Sequence, residues 1–155
     1  MVTVASNRSR PTVLLIDGDD QQRHHYVRHL KYSSQHYIVL EAKDGRSGLE
    51  LYQEQPIDCV VLELALPDMS GFEVLAKLVP LASQPEVAVV ILTRLPAQFL
   101  EELALHNGAA AYLVKNRTAV TVVKYVVFKA IATIAPRHNP PGLQPDCASE
   151  SSSGS

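Results

Sequence analysis

Cysteine is scarce: the 155 residues hold two, Cys59 and Cys147. Cys59 lies inside an apolar run and Cys147 in a polar stretch near the end, so they make no disulfide framework, and the expected compartment is the cytoplasm. No apolar run is long enough to span a bilayer. The opening residues, Met1 to Arg10, lack the apolar centre of a signal peptide. Neither sign of charge dominates. Fourteen Lys and Arg against sixteen Asp and Glu leave a net charge of −2, which argues against a general binder of nucleic acid or of an anionic membrane. No internal repeat is present. What remains is ordinary for one globular domain with a real core: 46% hydrophobic and 19% charged residues.

The chain divides into three expected parts. Residues 1–10 are polar, unpatterned and expected to be disordered; 11–135 form one domain; 136–155, rich in proline and serine, read as a disordered tail or linker. Within the domain, short apolar runs alternate with amphipathic stretches. Val13 to Ile16 is a buried strand followed by the acidic turn Asp17-Gly18-Asp19-Asp20. Gln21 to Tyr32 is helical, with Tyr26, Val27 and Leu30 on its apolar side. Tyr37 to Ala42 is a strand, and Gly48 to Gln53 carries Leu49 and Tyr52 at helical spacing. Cys59 to Leu62 has no polar interruption, the mark of a strand buried on both faces, and ends on Glu63. Gly71 to Val79 is helical. Val87 to Leu92 is a strand that ends on Thr93. Pro96 opens a helix whose apolar face is Phe99, Leu100, Leu103 and Leu105, stopped at Asn107-Gly108. Ala110 to Val114 is a fifth strand, followed at once by Lys115. From Thr118 onward, β-branched residues would suit a strand, but length and the spacing of Val120, Val123, Val127 and Ile131 favour a helix. Five strand–helix alternations imply an α/β domain: an open parallel sheet, doubly wound, with helices on both faces.

In such a sheet the carboxyl ends of the strands gather on one edge, where these folds place their chemistry. Four ends carry Asp17, Glu63, Thr93 and Lys115. Two carboxylates, a hydroxyl and an ammonium together suit a cation and a phosphoryl group.

Those residues, with Pro67 and Gly71 after Glu63, carry a resemblance. From about Thr12 to Ala135 the chain resembles the receiver domain of two-component response regulators. The resemblance implies a flavodoxin-like topology and a role in phosphorelay signal transduction. It makes Glu63 the equivalent of the phospho-acceptor and Asp17 and Asp19 the acidic pocket. Thr93 and Tyr112 become the switch pair, and Lys115 the characteristic lysine. It also implies a Mg²⁺ site, here built on Asp17 and Glu63. Partners would be a histidine kinase or an output domain, or a second copy docked through the fourth helix, fifth strand and fifth helix.

Four positions depart from the pattern. The acceptor is aspartate in the family; Glu63 sets its carboxylate further out by about 1.5 Å, and a misplacement near 1 Å costs about a hundredfold in an in-line transfer. Gly18 stands where the family keeps a second acid, so Mg²⁺ binding should be weak or absent unless Asp19 swings in. Arg94 follows Thr93 where a small residue is usual; it would cover the pocket, pair with Glu63 or point to solvent. Asn116 replaces the proline after the lysine, which disfavours a cis bond there. The expected function is therefore an atypical receiver, a pseudo-receiver, that works by protein–protein interaction. The alternative is a phospho-accepting receiver using Glu63 or the nearby Asp68.

An enzyme is the remote alternative. Asp17-Gly18-Asp19 resembles the opening motif of haloacid-dehalogenase-type phosphatases, but no acid occurs from Asn116 to Ala135 to supply their last motif. His25 and His29 share a helical face, but no third ligand lies near in sequence, so a solvated face is expected rather than zinc.

Overall fold

Strand and helix alternate in the computed structural model, which describes residues 10–134. The order is β1 (Thr12–Ile16), α1 (Asp20–Lys31), β2 (Ile38–Ala42), α2 (Gly45–Glu54), β3 (Cys59–Leu62), α3 (Gly71–Leu78), β4 (Ala88–Thr93), α4 (Gln98–His106), β5 (Ala111–Val114) and α5 (Val120–Thr133). A short 3₁₀ turn, Lys115–Arg117, joins β5 to α5. The polar opening, apart from Arg10, the 136–155 stretch and Cys147 lie outside the described residues. No helix among the described residues is long and apolar enough to cross a membrane.

All five strands run parallel in the order β2-β1-β3-β4-β5. The two-residue period of a strand sorts the core into two layers. Leu14, Ile16, Val60, Leu62, Val89 and Ile91 face α2, α3 and α4. Val13, Leu15, Val61, Val90 and Leu92 face α1 and α5, where they meet Tyr26, Leu30, Val123 and Val127. Central strands covered on both faces must be apolar throughout, and every residue of β1, β3 and β4 is buried.

The helices start where their caps allow. Asp19, Asp44 and Ser70 each accept a backbone N–H with the side chain, opening α1, α2 and α3. The valine-rich last segment is a helix, because one side of it, Val123, Val127 and Ala130, has a sheet face to cover. α4 differs from expectation. It begins two residues after Pro96, without a side-chain cap, and buries only Ala104. Phe99, Leu103 and Leu105, which the spacing assigned to an inner face, are exposed. Gly108 ends α4 with φ +99° and lies so close to Val79 that a Cβ would meet its Cγ1 at 2.6 Å.

Candidate functional site

Register brings the polar strand ends together. β1 and β3 are neighbours with Ile16 opposite Leu62, so the following residues, Asp17 and Glu63, emerge side by side. The sheet order reverses direction here, which opens a crevice at the carboxyl edge. On the next pair Thr93 lies opposite Val114, and Lys115 follows. The crevice is an open cleft of about 560 Å³ with Asp17, Glu63, Lys115 and Arg94 among its walls. Asp17, Glu63, Thr93 and Lys115 are all buried.

Their contacts form a closed network. The Lys115 ammonium lies 2.6 Å from Asp17 Oδ2 and 3.0 Å from Glu63 Oε1. Asp17 Oδ1 accepts the Asp19 amide at 2.9 Å. Glu63 Oε2 accepts the Thr93 hydroxyl and, at 3.0 Å, the Ala65 amide. Burying charges is costly unless each is paired and hydrogen-bonded. Here each of the four carboxylate oxygens has a donor. The extra methylene of Glu63 lets one carboxylate reach lysine, threonine and loop amide together.

Arg94 reaches Asp19, not Glu63. Its Nη2 is 2.6 Å from Asp19 Oδ2, which spans the rim between the loop after β4 and the start of α1. The other oxygen, Asp19 Oδ1, caps α1 through the Gln22 amide at 3.1 Å. That amide holds the Asp19 carboxyl below the usual carboxylate range, with Arg94 acting in the same sense and burial against it. Gly18 is tightly placed as well as side-chain-free. A Cβ there would meet Pro67 Cδ at 2.9 Å and the Lys43 carbonyl at 3.3 Å, so an acid at this position requires Pro67 to shift. Asp68 lies away from the four strand-end groups. Its two oxygens accept the Gly45 and Arg46 amides at 2.8 and 2.9 Å, which ties the loop after β3 to the start of α2.

Tyr112 on β5 is half-buried against the layer under α4, and its hydroxyl donates to the Leu95 carbonyl. Burial, then the Glu63 charge, push its phenol upward. The Leu95 amide donates to Thr93 Oγ1 at 3.3 Å. Glu63, Thr93, Leu95 and Tyr112 thus form a continuous chain of contacts from the cleft to the β5 surface. The described residues contain no cis peptide, so the Lys115–Asn116 bond is trans. Cys59 is a buried free thiol, pushed far up by burial.

Sequence reasoning missed Arg23. It is buried on α1 and donates to the Asp17 carbonyl at 2.8 Å, to Asp20 at 2.7 Å and to Glu41 at 3.0 Å. It thereby braces the turn that carries Asp17. The signal was present: Arg23, Tyr26, Val27 and Leu30 fall at i, i+3, i+4 and i+7, so a cation occupied a core position.

The comparisons with known proteins agree with this geometry. Residues 13–127 match the response regulator receiver domain. A probable transcriptional regulatory protein, NarL of Mycobacterium tuberculosis, is 32% identical over 124 residues, which is 79% of this chain and 56% of that protein. The chemotaxis protein CheY of Listeria monocytogenes is 28% identical over 111 residues, 72% of this chain and 92% of that one. Among solved structures, the non-phosphorylated HemR receiver domain of Leptospira biflexa superposes with a TM-score of 0.71 at 24% identity, covering 81% of this chain and 98% of that one. Several curated relatives are much longer. The chain spans 24% of a probable cyclic di-GMP phosphodiesterase of Vibrio cholerae and 44% of the regulator AfsQ1 of Streptomyces coelicolor.

Proposed function

The chain belongs to the response regulator receiver domain family of two-component signalling, and from that premise we propose that it is a receiver that signals by docking, with little or no phosphoryl acceptance at Glu63. The observation that carries this reading is the bridging of Asp17 and Glu63 by Lys115, 2.6 and 3.0 Å away. Lys115 neutralises the two acids as an incoming metal or phosphoryl group would.

Receivers in general work with Mg²⁺, and the donor set here does not fit that ion. Mg²⁺ demands near-octahedral oxygen ligands, usually with one or two carboxylates free to bind it. Asp17, Asp19 and Glu63 each have both oxygens engaged by protein donors. Gly18 adds no ligand, and its close contact with Pro67 resists one. Asp68, the alternative acceptor, is held by two backbone amides.

Glu63 then acts as a standing charge. It carries one charge and two acceptor oxygens against about two charges and three acceptors for a phosphoryl group, so the mimicry is partial. It holds Thr93, whose oxygen accepts the Leu95 amide, while Tyr112 binds the Leu95 carbonyl. The docking surface of this reading is the face made by α4, β5 and α5, where Phe99, Tyr125 and Phe128 are exposed. The domain would act in the cytoplasm on a histidine kinase, an output domain or a second copy.

Incubation with acetyl phosphate and Mg²⁺ tests the proposal by intact mass. The expected result is an unchanged mass. A stoichiometric, acid-labile phosphoryl adduct that disappears in Glu63→Gln would overturn it.

A further inference from the structure

Charge is unevenly spread over the two helices on the other side of the sheet. α1 carries one acid, Asp20, at its first position, followed by Arg23, His24, His25, Arg28, His29 and Lys31. α5 carries no acid in 14 residues, and holds Lys124 and Lys129. Arg23 is buried against Asp17, Asp20 and Glu41. His24 faces Glu41 at 3.9 Å. The remaining groups share one sign and converge where the two helices pack. His25 and His29 are one turn apart, edge to face, with ring centroids 4.8 Å apart. Burial holds the His29 imidazole below its ordinary value, and His25 and Arg28 on its own helix and Lys124 from α5 lower it further. The acid that β2 presents to this helix, Glu41, is engaged by Arg23 and His24 instead.

We propose that the seam formed by His25, Arg28 and His29 of α1 with Lys124 of α5 is a docking site for an acidic segment of a partner protein. Like charges at positions i, i+3 and i+4 repel, and Lys124 adds to them from the facing helix. A carboxylate laid along the seam relieves that repulsion and favours protonation of both histidines. Binding therefore takes up protons and tightens as the pH falls. The occupant is a short protein segment rather than nucleic acid. The whole chain carries −2, and an extended phosphate backbone running past the seam would meet that negative surface. The seam faces away from α4, so it would act whether or not Glu63 accepts phosphate.

A fluorescent Glu-rich peptide, titrated with the full chain and read by anisotropy, tests the site. The expected result is affinity about fivefold higher near pH 6 than near pH 8, the range over which histidine changes charge. Arg28→Glu with Lys124→Glu should lose about tenfold or more in affinity, and Lys77→Glu, an exposed lysine on α3, should change nothing. His25→Gln with His29→Gln should bind as wild type near pH 8 and lose the pH dependence. This neutral pair decides the matter if circular dichroism shows that the charge reversals unfold. Absence of binding, equal loss in Lys77→Glu, a pH dependence that survives without both histidines, or tighter binding of a single-stranded oligonucleotide of the same charge would each overturn the proposal.

Discussion

Two regions of the molecule invert the usual division of apolar inside and charged outside, and they do so differently. In the cleft, Asp17, Glu63 and Lys115 are buried together. On α4, Phe99 is 69% exposed, with Leu103 and Leu105 beside it. The cleft answers its inversion from within, since every oxygen of Asp17 and Glu63 has a donor. α4 buries one residue, Ala104, and has no side-chain cap, so its apolar side chains find no answer among the described residues. Single exposed apolar residues are normal, but three on one nine-residue helix point outward to a partner. A self-satisfied cleft needs no ligand to complete it, whereas the α4 face does. The two are joined through Leu95, bonded to Thr93 on one side and Tyr112 on the other.

The largest expected effect tests whether the cleft is compensated. Lys115→Met leaves two carboxylates buried together without their cation. Breaking a buried pair in this way costs about 3–5 kcal/mol, measured as a lower midpoint in urea with an unchanged slope. A loss under about 1 kcal/mol, the range of solvated pairs, would mean that water rather than Lys115 satisfies the acids, and the contrast with α4 would fall.

The next effect sharpens the contrast from the other side. Leu75→Ala on α3 removes a fully buried side chain and should cost about 2–5 kcal/mol. Phe99→Ser with Leu103→Ser on α4 should stay within about 0.5 kcal/mol each, as surface changes do. The same double variant should weaken self-association or partner capture, read by analytical ultracentrifugation or pull-down with the cognate kinase. A large stability loss at Phe99 would show that α4 is held more firmly than its burial implies.

How much of this was legible in the sequence differs between the two regions. The cleft was legible because its parts sit at strand ends, and parallel pairing brings strand ends to one edge. The sheet and its family followed from the same signals. What those signals miss is partnership across distance. Arg94 and Asp19 are 75 residues apart, and nothing local distinguishes a bond to Asp19 from one to Glu63. Asp68 reaches the start of α2 by a loop path that no spacing rule describes. Arg23 was passed over because a search for apolar periodicity skips a charged residue in a core position. On α4 the periodicity grouped Phe99 with Leu103, but a period does not say whether the shared face turns to the sheet or to solvent.

The smallest effect belongs to Asp19, whose bond to Arg94 bridges the cleft rim to the loop that leads into α4. Its carboxyl is held below the reference value of 3.8, first by the Gln22 amide and further by Arg94, against the opposing pull of burial. A carboxyl whose folded pKa is depressed stabilises the fold above its unfolded pKa. That contribution fades as the pH falls through the folded value, so the window lies below about pH 4. Asp44, lowered by the Ser47 hydroxyl and amide, titrates in the same window, and the acid limb of stability has both contributors. Asp19→Asn keeps an oxygen for the Gln22 amide and removes both the titration and the charge opposite Arg94. Its acid limb should be shallower than that of wild type, with amide exchange in the first turn of α1 unchanged. Asp19→Ala should lose the cap as well and speed that exchange. Salt should narrow the gap between wild type and Asp19→Asn near neutral pH, because the Arg94 bridge is exposed. If Asp19→Asn leaves the acid limb as steep as before, the titrating group below pH 4 is elsewhere, and the rim bridge is a surface contact with no part in joining the cleft to α4.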